Sequence, residues 1–249
     1  MSEQIKIIIL AAGHGKRMNN HELPKVCIPL DGQPIVKRLM KAIKDSGVCD
    51  KPVVVVGQKA ELVKQALGPD YTYVNQSEQL GTGHAVMCAK DELVGKAENI
   101  MVLYGDHPLI TAEMVNNLAK THLAANTVLT MATVKVPDFS DWRASFYDFG
   151  RIIRDDSNKV CQIVEKKDAD DAQKEIKEVN PSYLCFKADW LWDNLAKLKN
   201  DNAQKEYYLT DLVGLACQAG REIATVEIQP KEALGVNTAE QLELVSKLF

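Results

Sequence analysis

No C-x-x-C pair, long apolar run or excess of positive charge occurs in this sequence, and each absence excludes a class of protein. The six cysteines are widely spread, which argues against a zinc knuckle or a secreted disulfide framework and favours reduced thiols. No charged-then-apolar leader opens the chain, and no apolar run approaches the ~20 residues that span a bilayer. The net charge of −4 argues against a broad nucleic-acid-binding surface. We therefore expect a cytoplasmic protein with neither nucleic acid nor membrane as a partner; its oligomeric state stays open.

Linkers, repeats and low-complexity tracts are also lacking, so we predict one domain. In the first half, short apolar runs rich in β-branched residues alternate with helix-like patterns, which is typical of a parallel sheet covered by helices. Strands are predicted at residues 5–10, 53–56, 71–74 and 100–103, and helices at 34–46, 60–67, 82–93 and 111–123. The predicted fold class is α/β, with a single Rossmann-like, doubly wound mixed sheet.

The pattern becomes richer in strands after residue 126. Strands are predicted at residues 127–136, 150–154, 160–164, 179–186 and 223–228, with the second and third forming a hairpin. Helices are predicted at 189–198, 208–218 and 238–248. We divide the domain into residues 1–125 and a β-rich half, residues 126–249, that faces the substrate.

Two glycines follow the first predicted strand, in the sequence Ala12-Gly13-His14-Gly15-Lys16-Arg17. Glycines after a first strand let backbone N–H groups approach a phosphate closely. The loop lacks the G-x-x-x-x-G-K-[ST] pattern of phosphate-loop NTPases and the third glycine of the Rossmann fingerprint. A bare G-x-G is equally compatible with a structural turn, but Arg17 and the nearby Lys25 favour a phosphate site.

Residues 10–18, followed by Leu23-Pro24-Lys25, resemble the signature of sugar-1-phosphate nucleotidyltransferases. Residues 76–85 are similar to the nucleobase-binding segment of bacterial N-acetylglucosamine-1-phosphate uridyltransferases. Segments 104–109, 150–152, 163–169, 206–211 and 235–237 are similar in kind and order. The resemblance covers nearly the whole chain. It implies transfer of UMP from UTP to N-acetylglucosamine 1-phosphate, with Mg²⁺ as cofactor and with residues 1–125 and 126–249 as nucleotide-binding and sugar-binding halves.

The resemblance also implies roles for individual residues. Arg17 and Lys25 would be catalytic, contacting the triphosphate and the transferring α-phosphate, and Asp106 and Asn237 would bind the metal. The nucleotide-binding residues would be Leu10, Ala11, Ala12, Gly13, Gly15, Lys16, Gln76, Gln79, Gly81 and Thr82. The sugar-binding residues would be Tyr104, Gly150, Glu165, Asn180, Tyr208 and Thr210.

The metal-binding and base-binding side chains each have a structural interpretation as well. Mg²⁺ prefers one or two carboxylates completed by phosphates and water, which suits Asp106; equally, Asp106 could form a turn or cap a helix before Thr111. Asn237 is equally suited to a helix cap. An amide such as that of Gln76 fits the imide edge of uracil, but without the resemblance no base is preferred over another.

The implied sugar pocket and the histidines also admit more than one interpretation. Glu165 precedes two lysines and could form surface ion pairs instead of binding a ligand. The hydroxyl, amide and carboxylate groups of the implied pocket suit a sugar. We reject His84 and His107 as general bases, because a lone histidine near a cleft more often packs or forms hydrogen bonds.

The implied reaction needs no protein nucleophile or base. The second pKa of a phosphate monoester is about 6, so the sugar phosphate is largely dianionic at neutral pH. Catalysis then depends on bringing two anions together and stabilising charge on the α-phosphate.

The sequence departs from the family in three places. Lys16 replaces a threonine, residues 146–150 replace a shorter Gly-Tyr-Gly segment, and Pro181-Ser182 follows Asn180. The last two lie in the implied sugar pocket, so another hexose 1-phosphate or another NTP is an alternative substrate, and a non-catalytic sugar-nucleotide sensor is a remote one. These 249 residues contain none of the hexapeptide repeats that build the acetyltransferase β-helix of bifunctional relatives, and we expect no acetyltransferase activity from them.

Overall fold

A ten-stranded mixed sheet runs through the computed structural model, which describes residues 4–13, 15, 18 and 22–248. Its strands are β1 (Ile5–Ala11), β4 (Val53–Val56), β5 (Thr72–Asn75), β6 (Asn99–Tyr104), β7 (Leu129–Lys135), β8 (Gly150–Arg154), β9 (Val160–Val164), β10 (Glu178–Asn180), β11 (Leu184–Lys187) and β12 (Ile223–Glu227). The sheet order is β5-β4-β1-β6-β11-β7-β10-β8-β9, and β12 pairs with β7. A separate two-stranded hairpin contains β2 (Pro29–Leu30) and β3 (Gln33–Pro34).

Helices cover the sheet and connect its strands. They are α1 (Ile35–Ser46), α2 (Ala60–Leu67), α3 (Thr82–Cys88), α4 (Lys90–Leu93), α5 (Ala112–Ala125), α6 (Asp171–Lys174), α7 (Ala188–Leu195), α8 (Asp211–Gln218) and α9 (Ala239–Lys247). In the part of the chain described, no helix is long and apolar enough to cross a membrane.

The first four strands of the large sheet are parallel, and their side chains alternate between two cores. In β1, Ile7 and Ile9 pack in the core under α1 and α5, whereas Ile8 and Leu10 pack on the opposite face under α3 and α7. A strand buried on both faces needs apolar residues at nearly every position, which is why these strands read as continuous apolar runs. The predicted doubly wound α/β fold is confirmed.

The second half extends the same sheet with antiparallel strands. β11 runs antiparallel to both β6 and β7, and β10 runs antiparallel to β7 and β8. The predicted hairpin of β8 and β9 forms with the predicted bounds. The β-rich half therefore continues the sheet of residues 1–125, with β11 pairing directly with β6.

Several predicted elements were wrong in extent: the helix predicted at 189–198 ends at Leu195, and the strand predicted at 127–136 begins only at Leu129. Three further differences have a visible cause. The strand predicted at residues 179–186 is split into β10 and β11, because Pro181 has no N–H to donate and Ser182 has a φ of +66°. The helix predicted at 82–93 is interrupted at Ala89, which lies between α3 and α4. The helix predicted from residue 208 begins only at Asp211, since residues 207–209 form hydrogen bonds with residues 80–83.

Candidate active site

Three of the predicted catalytic and metal-binding residues, Lys25, Asp106 and Asn237, lie around the carboxyl ends of two adjacent parallel strands. β1 ends at Ala11 and β6 at Tyr104. Along the sheet, the chain continues from β1 to β4 in one lateral direction and from β6 toward β7 in the other. Open α/β sheets bind ligands in a crevice at such a reversal of strand order. The Gly105 N–H donates to the Leu10 carbonyl at 3.0 Å. A Cβ at Gly105 would lie 3.1 Å from Val26 and 3.2 Å from that carbonyl, so glycine permits the close approach.

Lys25 connects two polar side chains that are far away in the sequence. It opens a 3₁₀ turn (Lys25–Cys27), and its ammonium group donates to the Asp106 carboxylate and, at 2.7 Å, to Asn237 Oδ1. The side chains of Lys25 and Asp106 are only 13% and 9% exposed, so this ion pair is largely desolvated. The Val236 N–H donates to the Asp106 carbonyl at 2.9 Å, which holds Asn237 beside Asp106.

Neighbouring threonines take the helix-capping positions that the sequence also allowed for Asp106 and Asn237. Thr111 caps α5 and Thr238 caps α9, each by accepting a hydrogen bond from the N–H three residues later. The side chains of Asp106 and Asn237 instead face Lys25. The local sequence thus separates the capping group from the group that faces the crevice.

The carboxylate of Asp106 is held in its charged form. Burial raises the pKa of Asp106, but the charge and hydrogen bond of Lys25, with the charge that His107 carries at low pH when its ring is protonated, outweigh burial and leave the pKa below its ordinary value. Burial lowers the pKa of His107, and its Nδ1 lies 2.5 Å from the Tyr183 hydroxyl. The buried imidazole is therefore neutral at pH 7 and engaged with the core.

The donor set of Asp106 and Asn237 fits a hard divalent cation. Their oxygen atoms already converge on one cationic group, the ammonium of Lys25. Within the described residues, no group of three or more His, Cys, Asp or Glu side chains is arranged to hold a metal. One carboxylate and one amide oxygen leave the remaining positions to phosphate and water, which is the usual arrangement for Mg²⁺ with phosphorylated substrates.

A cavity of about 230 Å³ opens beside Lys25 and is lined by many of the predicted nucleotide-binding residues. They are Leu10, Ala12, Gly13, Gln76, Gln79, Gly81 and Thr82. We call this space the nucleotide cavity, after its predicted ligand. Ala11 is buried in the sheet core behind this wall. A Cβ at Gly15 would lie 3.0 Å from Lys25 Cβ, so this glycine packs against Lys25. Lys16 and Arg17 fall outside the described residues.

Residues 80–83, part of the wall of this cavity, form hydrogen bonds with residues 207–209 of the second half. The Tyr207 N–H donates to the Leu80 carbonyl and the Gly83 N–H donates to the Tyr207 carbonyl, both at 2.8 Å. The Thr82 hydroxyl accepts from the Leu209 N–H at 3.0 Å, so it bridges two segments and does not cap α3. These contacts delay the start of α8 and link the two halves of the site.

A second cleft of about 720 Å³ contains four of the predicted sugar-binding residues, Tyr104, Gly150, Glu165 and Asn180. Tyr104 also lines the nucleotide cavity, so the two spaces share a wall. Tyr208 and Thr210 are buried beside the cleft and do not line it. The Thr210 hydroxyl donates to Glu165 Oε1 at 2.9 Å, so Thr210 orients a lining residue.

Among the residues that the structure describes, Glu165 forms no surface ion pair. Lys166 pairs with Asp148, and Lys167 donates to Gln204 at 2.7 Å. Burial raises the pKa of Glu165, while the Thr210 hydrogen bond opposes this change. A half-desolvated carboxylate with one fixed oxygen is suited to accept hydrogen bonds from ligand hydroxyl or amide groups.

The sequence analysis missed several residues that line the two spaces. Glu206 lines the nucleotide cavity, and Ser145, Gln204 and Gln241 line the second cleft. Glu206 opens one of the segments that carry the family resemblance, so its position was a usable signal. Ser145 and Gln204 lie outside those segments, and Gln241 sits one helical turn beyond Asn237, where only the folded chain reveals it.

Comparison with known proteins identifies the family of the chain. The family described as "MobA-like NTP transferase domain" matches residues 7–210. The chain is similar to the "Bifunctional protein GlmU" of Brevibacillus brevis, at 41% identity over 96% of this chain and 50% of that protein. For the proteins of the same name from Desulfotalea psychrophila and Clostridium botulinum, identity is 36% and 40%, over 98% and 97% of this chain and 70% and 51% of theirs. The chain thus spans about half the length of most of these relatives. The predicted kinship with nucleotidyltransferases is confirmed, and the chain belongs to the family of MobA-like NTP transferase domains.

Proposed function

We propose that this protein transfers UMP from UTP to N-acetylglucosamine 1-phosphate, releasing pyrophosphate. The observation that carries the proposal is the position of Lys25, Asp106 and Asn237 at the junction of two spaces. Lys25 and Asp106 line the nucleotide cavity, and Asn237 lines the larger cleft. Cation-binding groups at such a junction are suited to the point where an α-phosphate meets an incoming sugar phosphate.

The reaction requires charge stabilisation and positioning more than proton transfer. The incoming phosphate oxygen attacks the α-phosphorus, and the bond to the pyrophosphate oxygen breaks, with the electron pair leaving on pyrophosphate. Because the sugar phosphate is already largely dianionic at neutral pH, no general base is needed. Lys25 supplies a largely desolvated positive charge beside the transferring phosphate, where its electrostatic effect is greater than in water.

A divalent metal, which we propose to be Mg²⁺, would be held by Asp106 and Asn237. It would supply positive charge to the phosphate groups. The same two side chains accept hydrogen bonds from the ammonium group of Lys25. Arg17 is proposed to contact the triphosphate.

The choice of substrates is supported by the polar groups of each space. The nearly buried carboxamide of Gln76 lies at the wall of the nucleotide cavity and can recognise a base edge. Glu165 and Asn180 offer carboxylate and amide groups in the cleft for sugar hydroxyl and N-acetyl groups. The family match supports an NTP as donor.

The first test measures pyrophosphate release with each of the four NTPs and a panel of hexose 1-phosphates, with and without Mg²⁺. We expect the highest kcat/KM with UTP and N-acetylglucosamine 1-phosphate. A preference for CTP or GTP would exclude the uridyl assignment, and a preference for a hexose without an N-acetyl group would replace the sugar. Tight binding of UDP-sugar without turnover would favour a sensor.

The metal assignment is tested by Asp106→Ala. We expect loss of Mg²⁺-dependent turnover with the far-UV circular dichroism retained, because the substitution removes the only carboxylate in the proposed donor pair. Asp45→Ala is the matched control, since it removes the partner of an exposed ion pair on α1 and should leave turnover unchanged. Near-wild-type activity of Asp106→Ala would contradict the metal role.

A further inference from the structure

The carboxamide of Gln76 has a defined orientation in the structure. Gln76 is 3% exposed, and its Nε2 lies 3.1 Å from the Gly81 carbonyl and 3.1 Å from His84 Nδ1. A carbonyl oxygen can only accept a hydrogen bond, so the amide nitrogen must face Gly81. Rotating the amide by half a turn would bring two oxygen atoms together.

This orientation fixes the tautomer of His84. The Gln76 nitrogen can only donate, so His84 Nδ1 must be the acceptor, and the proton of the neutral ring must lie on Nε2. His84 Nε2 lies 3.8 Å from Cys88 Sγ, one helical turn further along α3, which can accept that proton's hydrogen bond. The imidazole and the thiol are therefore anchored on the same helix.

The consequence is that the oxygen of the Gln76 carboxamide is the atom of this side chain that remains to contact a ligand. With both protons of the amide nitrogen engaged, Gln76 Oε1 is the remaining polar atom of a side chain that lines the nucleotide cavity. An acceptor at this point matches the N3–H donor of uracil and opposes the N3 lone pair of cytosine. A carboxamide free to rotate would offer either group and would distinguish the two bases less well.

We propose that His84 is a positioning residue that holds the Gln76 carboxamide with its oxygen toward the nucleobase and thereby sets the preference for UTP over CTP. The inference rests on the proposed function, because it concerns base selection at the same site. His84 acts through Gln76 and takes no part in the chemical step.

The test compares the ratio of kcat/KM for UTP to kcat/KM for CTP in the wild type, His84→Leu and His84→Asn. Leucine fills the space without an acceptor, whereas asparagine can place an oxygen close to the position of Nδ1. We expect His84→Leu to lower the ratio by about tenfold, the size of one hydrogen bond to a ligand, and His84→Asn to stay within about threefold of the wild type. The KM for the sugar phosphate should not change in either variant.

A double variant separates positioning from a structural role. If His84 acts only through Gln76, adding His84→Leu to Gln76→Leu should leave the UTP/CTP ratio as it is in Gln76→Leu alone. An unchanged ratio in His84→Leu, equal losses in both single His84 variants, or an additive effect in the double variant would each overturn the inference. Failure of the proposed function is recognised separately, because the wild type itself would then show no preference for UTP.

A further variant covers the case in which His84→Leu folds poorly. Cys88→Val removes the group that orients the imidazole, so it should also lower the UTP/CTP ratio. An unchanged ratio in Cys88→Val would count against the inference.

Discussion

Replacing Gly150 with alanine should weaken sugar phosphate binding specifically. Gly150 is the buried first residue of β8, and it lies against the carboxylate of Glu165. An added Cβ would lie 2.8 Å from Ile163 Cγ2 and 3.3 Å from both carboxylate oxygens of Glu165, where ordinary contact begins at 3.4 Å. The β8–β9 hairpin holds Ile163 in place by pairing it with Ile152, so the Glu165 side chain is the more mobile neighbour.

The size of the effect follows from the cost of this contact. Overpacking a well-packed site by a methyl group costs ~1–3 kcal/mol. Displacing Glu165 would also lengthen its 2.9 Å hydrogen bond from Thr210. If this cost is expressed in binding, the KM for the sugar phosphate should rise by roughly 5- to 150-fold. The nucleotide cavity does not include Gly150, so the KM for UTP should stay near its wild-type value.

The assay measures initial rates while one substrate is varied and the other is saturating, together with thermal unfolding of each variant. Gly214→Ala is the control, because the residue is inside α8 and, among the described residues, no atom beyond its chain neighbours and the backbone of that helix lies within 4 Å of the added Cβ. Helix propensity predicts that this control is neutral or more stable by up to ~1 kcal/mol. A folded Gly150→Ala variant with an unchanged KM for the sugar phosphate, or with the loss confined to UTP, would show that the added Cβ does not disturb Glu165 as described.

Two further predictions concern stability. Gly81 and Gly68 share nearly the same backbone conformation, with φ of 107° and 93°, which costs a residue with a side chain ~1–3 kcal/mol. Of these two substitutions, only Gly81→Ala also places a Cβ 2.6 Å from the Tyr207 carbonyl oxygen. It should therefore lower the free energy of unfolding in urea more than Gly68→Ala does, and it should raise the KM for UTP. Equal losses of unfolding free energy in the two variants would contradict the effect of this contact. Burial, together with the charge of Lys187, lowers the pKa of His122 to about 4. In the unfolded chain the pKa of histidine is near 6.5. The neutral, buried His122 should therefore contribute fully to stability above pH ~6.5, and this contribution should disappear as the pH falls toward 4. His122→Gln should flatten the pH dependence of the urea midpoint over this window, and an unchanged slope would show that other groups cause it.

Local sequence patterns predicted most of the fold of residues 1–125 and most of the wall of the smaller cavity. β4 and α2 have the predicted bounds, β1 differs from prediction by one residue at its end, and β5 and β6 differ by one residue at each end. These elements depend on short-range patterns: continuous apolar runs for strands buried on both faces, and helical spacing between them. The glycine loop and the Gln76–Thr82 segment follow strands directly, so strand position also set their place at the sheet edge.

The contacts between side chains that are distant in the sequence are set by the tertiary structure. Asn237 reaches Lys25 across 212 positions of sequence, and Thr210 reaches Glu165 across 45. Local sequence could not separate the metal-binding interpretation of Asn237 from a helix cap, because both use the same side-chain oxygen; the fold assigned the cap to Thr238. The division of the 179–186 strand likewise depended on Ser182, which adopts a positive φ between two strands that lie on opposite sides of β7. Local patterns fix secondary structure through contacts within a few residues, whereas sites made of long-range contacts exist only once the sheet has paired.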